Sequence, residues 1–162
     1  MLRLLSTNVD DTRLVAGAIA RLVRPRDVIV LSGDMGAGKT AFTQGFAAAL
    51  GVTEAVTSPT FNLVHTYSGA EHVVHHVDLY RLERTGELDD LGLTELLDGG
   101  GVMVVEWGEV VGSALGDALL LRIDHVSGEP GDSRHISIER RGAQWDARWS
   151  MLEQVLREWI LK

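Results

Sequence analysis

Gly33 is followed by four residues and then by Gly38, Lys39 and Thr40, within the stretch LSGDMGAGKT over residues 31–40. This is the phosphate-loop pattern G-x-x-x-x-G-K-[ST], whose glycines let the backbone turn tightly so that successive N–H groups point at phosphate oxygens. Gly33, Asp34, Met35, Gly36, Ala37, Gly38, Lys39, Thr40 and Ala41 are therefore expected to cradle a nucleoside triphosphate. Lys39 would reach the β and γ phosphates, and Thr40 would place its hydroxyl on Mg²⁺. Two of the 15 basic residues are lysine, Lys39 and Lys162, and the rest are arginine. A lysine inside this loop suits phosphate, because a compact ammonium acts as a point charge.

Gly36-Ala37-Gly38-Lys39-Thr40-Ala41 also fits the dinucleotide fingerprint G-x-G-x-x-[GA]. That fingerprint wants an acid at the end of a second strand about 20 residues on, and Glu54 sits in no clear strand. A GTP-specific loop usually comes with an Asn-Lys-x-Asp motif, which the sequence lacks. ATP with Mg²⁺ is the expected ligand.

Phosphoryl chemistry also needs an acid to hold Mg²⁺ and often a group to orient water. Two acids end apolar runs: Glu106 after Met103-Val104-Val105, and Asp78 after HVVHHV. Either could face the loop. His72 and His76 share a strand face but stand about 13 Å apart, and His75 points the other way. No two of them could share a metal, and they are expected to be exposed strand residues.

The 162 residues suit a single domain, and 45% hydrophobic with 23% charged residues is ordinary for a globular protein. No apolar run reaches the length of a membrane span, and MLRLLSTNVDDTR lacks the apolar core of a secretory signal. The absence of cysteine removes disulfides, thiolate catalysis and cysteine-ligated zinc, and fits a reducing cytoplasm. With 23 acids, 15 bases and a net charge of −8, direct tight binding of tRNA or DNA is disfavoured.

Elements must position these residues. Arg3–Leu5 suits a short strand. Ser6, Thr7 and Asn8 suit a helix cap, and Leu14, Val15, Ala18, Ile19, Leu22 and Val23 recur at helical spacing. Val28–Leu31 is a buried-strand run ahead of the loop, and AFTQGFAAAL reads as the helix after it. Residues 61–67 and 72–78 read as a hairpin around Ser68–Gly69, and 88–97 as a weak helix. Val102–Val105, Leu119–Asp124 and Arg134–Arg140 read as further strands. Trp145, Trp149, Leu152, Leu156 and Trp159 predict an amphipathic helix over 144–161, its stripe belonging to the core or to a partner surface. The expected fold is α/β: one domain over 1–162, P-loop NTPase-like, with a mixed β-sheet flanked by helices.

GDMGAGKT, VTSPTF at 56–61, DLYRL at 78–82 and VVEW at 104–107 follow one another in an order and spacing that resemble the bacterial TsaE (YjeE) family. The resemblance runs from about residue 10 to residue 110. It implies a Mg²⁺-dependent ATPase required for threonylcarbamoyladenosine in tRNA. It assigns Glu106 as the second Mg²⁺ contact, Asp78 as the residue acting on the attacking water, and Ser58 and Thr60 to a switch-like loop near the γ-phosphate. Trp107 would pack beside the nucleotide, Thr12 would approach it, and Arg134, beyond the matched stretch, would supply stabilising charge. The resemblance also implies TsaB-like and TsaD-like partners, with the ATPase resetting their assembly and meeting tRNA only through them.

Two other functions share the loop. A small-molecule kinase would carry a lid with paired arginines, for which Arg81/Arg84 and Arg140/Arg141 are the close pairs. A nucleotide-dependent interaction switch would bind ATP with negligible turnover.

Overall fold

The computed structural model describes residues 1–59, 63–80, 91–107, 114–128 and 131–162. The elements follow the chain as β1 (Leu2–Ser6), α1 (Val9–Ala20), β2 (Val28–Ser32), α2 (Lys39–Ala49), β3 (Val64–Ser68) and β4 (Val73–Asp78). They continue as α3 (Leu93–Asp98), β5 (Val102–Glu106), β6 (Ala118–His125), β7 (Arg134–Arg141) and α4 (Trp149–Leu156). Among the described residues, seven strands form one sheet in the order β1-β7-β6-β2-β5-β4-β3. The central strands β6, β2, β5 and β4 are parallel, and β1, β7 and β3 join antiparallel. The mixed sheet expected from the sequence is therefore present, with helices on both faces.

Period-two alternation sorts the central strands into two cores. Ile29, Leu31, Val74, Val102, Val104, Leu119 and Leu121 pack with Phe42, Phe46 and the buried side of α1. Val28, Val30, Val77, Met103 and Val105 pack with Leu93 and Leu97 of α3. α1 begins where Asn8 accepts from the Asp11 amide at 2.8 Å, while the Asp11 carboxylate accepts the Thr7 amide at 3.0 Å. The Thr7 hydroxyl also donates to that carboxylate, and this is the main reason its pKa is lowered. α1 and α2 touch closely at Gly45, where a Cβ would lie 2.4 Å from the Arg13 carbonyl oxygen.

The C-terminal segment departs from the expected helix over 144–161. A 3₁₀ turn at Asp146–Arg148 precedes α4, which ends at Leu156. The chain then runs along the sheet edge: the Leu5 amide donates to Trp159 at 2.8 Å, and the Leu161 amide donates to Arg3 at 2.8 Å. The unpaired edge of β1 captures these residues, which satisfies backbone groups that would otherwise stay open. Trp145, Leu152 and Leu156 are buried, and Trp149 and Trp159 pack against the same core.

Other boundaries shift less. α3 begins at Leu93, while residues 61–62 and 88–90 of the expected hairpin and weak helix lie outside the described residues. Among the described residues, no helix is long and apolar enough to cross a membrane.

The histidine expectation fails in β4. His75 and His76 are buried, because neighbouring strands and both helical layers cover this strand. His75 Nδ1 is hydrogen-bonded with the Thr66 hydroxyl at 2.9 Å.

Asp27, at the start of β2, is fully buried against Arg148. The guanidinium pairs with both carboxylate oxygens, one at 3.0 Å, and also donates to the Leu22 carbonyl at 2.8 Å. Gln144 donates to Asp27 at 2.9 Å, and Arg148 stacks 3.9 Å from the Trp145 ring centroid. Removing one partner would strand a buried charge. Arg148→Ala is expected to cost about 3–5 kcal/mol in urea unfolding.

Burial disfavours the imidazolium of His75 and holds its pKa below the 6.5 of a free side chain. Below 6.5 the unfolded chain takes up a proton that folded His75 refuses. Stability therefore falls as pH drops through 6.5 and levels off below the folded-state value. Thermal unfolding on either side of 6.5 should show a smaller acid-induced loss in His75→Asn than in the parent.

Candidate nucleotide-binding site

β2 runs out of the sheet at Ser32 and turns at Gly33. Gly33 has φ 138°, and a Cβ there would lie 2.2 Å from the Ile123 carbonyl oxygen of β6. Only glycine permits both that backbone and that approach. The loop then rises through Gly36 and Gly38, also at positive φ, into the first turn of α2 at Lys39. The Ala37 amide donates to Asp34 at 3.0 Å, so the loop closes on itself.

Lys39 is buried, and its ammonium donates to the carbonyls of Gly33 at 2.7 Å and Asp34 at 2.9 Å. The Trp107 ring lies over it, 4.5 Å from Nζ to the centroid. Trp107 follows β5 in a left-handed conformation, φ 61°, and its amide donates to Leu31 at 3.1 Å. A bulky residue at positive φ is uncommon, and here it lets the chain leave β5 while its ring covers the loop lysine. Tyr80 packs on Trp107 at 5.1 Å between centroids.

The two acids meet through strand register. Asp78 of β4 is paired with Glu106 of β5, and Glu106 is in turn opposite Leu31 of β2. Both carboxylates thus share a face at the C-terminal edge of parallel strands, where ligands of open α/β sheets sit. Glu106 is buried, at 3% exposure. Asp78 Oδ2 accepts the Ser58 hydroxyl at 3.2 Å, and Oδ1 accepts the Tyr80 amide at 3.0 Å. Ser58 belongs to a loop held elsewhere by Gln44, which donates to the Val56 carbonyl at 3.2 Å.

These groups line a cleft of about 320 Å³. Of the residues expected in the site, Met35, Gly36, Gly38, Lys39, Thr40, Ser58, Asp78, Glu106 and Trp107 line it. Gly33, Asp34, Ala37 and Ala41 build the loop around it. Thr60 lies outside the described residues.

Thr12 and Arg134 take other places. Thr12 is buried in α1 with its hydroxyl 2.7 Å from that of Ser6 and is not among the cleft residues. Arg134 donates to the Ala37 carbonyl at 2.7 Å and the Ser133 carbonyl at 2.9 Å, bracing the loop from β7. Its backbone partner in β1 is Ser6, so only the β1–β7–β6 pairing brings it to the loop. Tyr80 lines the cleft but was missed as a site residue, although it stands inside the DLYRL block. Arg140 and Arg141 sit at the opposite end of β7, engaged with Asp146 and the Gly116 carbonyl. They offer no lid over this cleft, and Arg81 and Arg84 lie outside the described residues.

The donor set suits a hard cation beside phosphate. Thr40 and Glu106 both line the cleft and present oxygen ligands. The described residues hold no cluster of three His, Cys, Asp or Glu able to bind a metal. Mg²⁺ commonly takes one or two protein oxygens and completes its shell with phosphate and water.

The family model described as "Threonylcarbamoyl adenosine biosynthesis protein TsaE" matches residues 6–136. A tRNA threonylcarbamoyladenosine biosynthesis protein TsaE from Bacillus subtilis (strain 168) is 38% identical over 141 residues, 87% of each chain. The protein of that name from Streptomyces coelicolor is 44% identical over 132 residues, 78% of this chain and 88% of its own. The crystal structure of Bacillus subtilis YdiB superposes with a TM-score of 0.77 at 33% identity, covering 97% of this chain and 95% of that one. With the phosphate loop, the Ser58–Asp78 contact and the Glu106–Trp107 turn in one cleft, and with a family match across most of its length, the chain belongs to the TsaE family.

Proposed function

We propose that this protein is a cytoplasmic, Mg²⁺-dependent ATPase that serves threonylcarbamoyladenosine modification of tRNA, acting with TsaB-like and TsaD-like proteins and resetting their assembly. The observation that carries the reading is the facing of Lys39 and Thr40 by Asp78 and Glu106 across one cleft. The family membership supports the pathway, and the acidic charge of −8 supports an indirect relation to tRNA.

The residues divide the work. The loop amides and the N-terminus of α2 bind the phosphates. Lys39 would exchange its carbonyl partners for phosphate oxygens. Thr40 and Glu106 hold Mg²⁺, which neutralises developing phosphate charge when bound. Asp78 orients the attacking water; Ser58 and the Tyr80 amide fix that carboxylate, so its direction does not have to be found at each turnover. Ser58 also ties the 56–59 loop to the reacting end of the nucleotide, which gives a partner a route to the rate.

The test is ATP hydrolysis with Mg²⁺, by the purified chain with and without the cognate TsaB–TsaD pair. Slow turnover alone, stimulation by the pair, and a loss of about a hundredfold in Glu106→Gln are expected. Rapid turnover alone that the pair leaves unchanged would overturn the reading. So would phosphate transfer to a small metabolite in place of hydrolysis.

A further inference from the structure

His76 is fully buried in β4 at 0% exposure, yet the roles above leave it unused. It precedes Asp78 by two residues and therefore lies on the same sheet face. In the β4–β5 register His76 is opposite Val104 and Asp78 is opposite Glu106. The imidazole thus reaches diagonally toward Glu106, and its Nε2 lies 3.3 Å from Oε1. The Glu106 side chain is 4% exposed.

Neither His76 nitrogen nor Glu106 Oε1 has a hydrogen-bond partner of good geometry among the described residues. A buried imidazole and a buried carboxylate oxygen without other partners are costly unless they serve each other. The remaining choice is the tautomer. Putting the proton on Nε2 places an N–H beside the carboxylate, 3.3 Å from nitrogen to oxygen, and leaves Nδ1 as a bare lone pair. The contact is long and poorly aligned, as such contacts often are before a site is engaged.

We propose that His76 is a positioning residue for Glu106: its Nε2–H holds Oε1 and turns the carboxylate so that the other oxygen serves the cleft beside Thr40. This rests on the reading of Glu106 as a Mg²⁺ contact. His76 touches no phosphate and acts through Glu106. The arrangement matches the way outer partners orient metal-binding groups elsewhere, where their removal costs about 10–100-fold in metal affinity or activity.

The experiment uses the full chain and a fluorescent methylanthraniloyl derivative of ATP. Nucleotide affinity is measured in EDTA, and Mg²⁺ is then titrated into the saturated complex. His76→Leu should bind nucleotide in EDTA as the parent does and need about tenfold more Mg²⁺. His76→Gln, whose amide can still donate to Oε1, should recover most of the difference. In a Glu106→Gln background, His76→Leu should add little, because the two residues act as a unit.

An unchanged Mg²⁺ requirement in His76→Leu would overturn the inference and leave the ring as packing. Equal damage in both His76 variants, with nucleotide binding in EDTA lost, would overturn it as well. If nucleotide binding by the parent ignores Mg²⁺, the underlying reading of Glu106 fails too. A response in the parent that His76→Leu shares in full removes only the role given to His76.

Discussion

Leu31 of β2 lies opposite Glu106 of β5, and Glu106 lies opposite Asp78 of β4. These parallel pairings bring three strand ends to one edge of the sheet. β2 gives way there to the phosphate loop, and β4 and β5 end on the two acids. The loop can meet its acids only while that register holds. A slip of one residue in β5 would turn Glu106 toward α3 and put Val105 in the cleft. The near-continuous apolar runs of β2 and β5, buried on both faces, are what resist such a slip.

The loop is braced by parts of the chain far from it in sequence. Arg134 of β7 holds the Ala37 carbonyl, and the Ile123 carbonyl of β6 leaves no room at Gly33 for a side chain. At the other end of β2, Arg148 holds Asp27. β2 and the loop that follows it are therefore held at both ends by arginines from the last third of the chain, so β6, β7 and the C-terminal segment support the site without entering it. The 56–59 loop is tied to α2 through Gln44 and to β4 through Ser58. Movement in that loop is thus mechanically linked to both α2 and Asp78.

Much of this was legible in residue order. The phosphate loop is a local turn with an ammonium and a hydroxyl at fixed offsets, so spacing alone identifies it. Asp78 and Glu106 each terminate an apolar run, and strand ends beside such a loop are where acids are useful. The hairpin and the two faces of the central strands follow from alternation. The burial of His75 and His76 is not legible there, because alternation assigns a face but not its depth. The neighbouring strands and the helical layers on both faces decide that a histidine there loses solvent. The apolar spacing of the final helix continues past Leu156, but the helix stops there and the open edge of β1 takes up the backbone of the residues that follow.

The sequence by itself determined the phosphate-loop motif, the α/β class and the two acids that end apolar runs, since each depends on neighbours within a few residues. Tertiary structure decided which groups support that chemistry. Arg134 became a brace for the loop, Thr12 a buried partner of Ser6, and His76 a neighbour of Glu106. The first and last of those outcomes need separate segments to be brought together by strand pairing in one register. Strand pairing is a non-local choice, fixed by the burial of whole faces, and no window of the chain contains it.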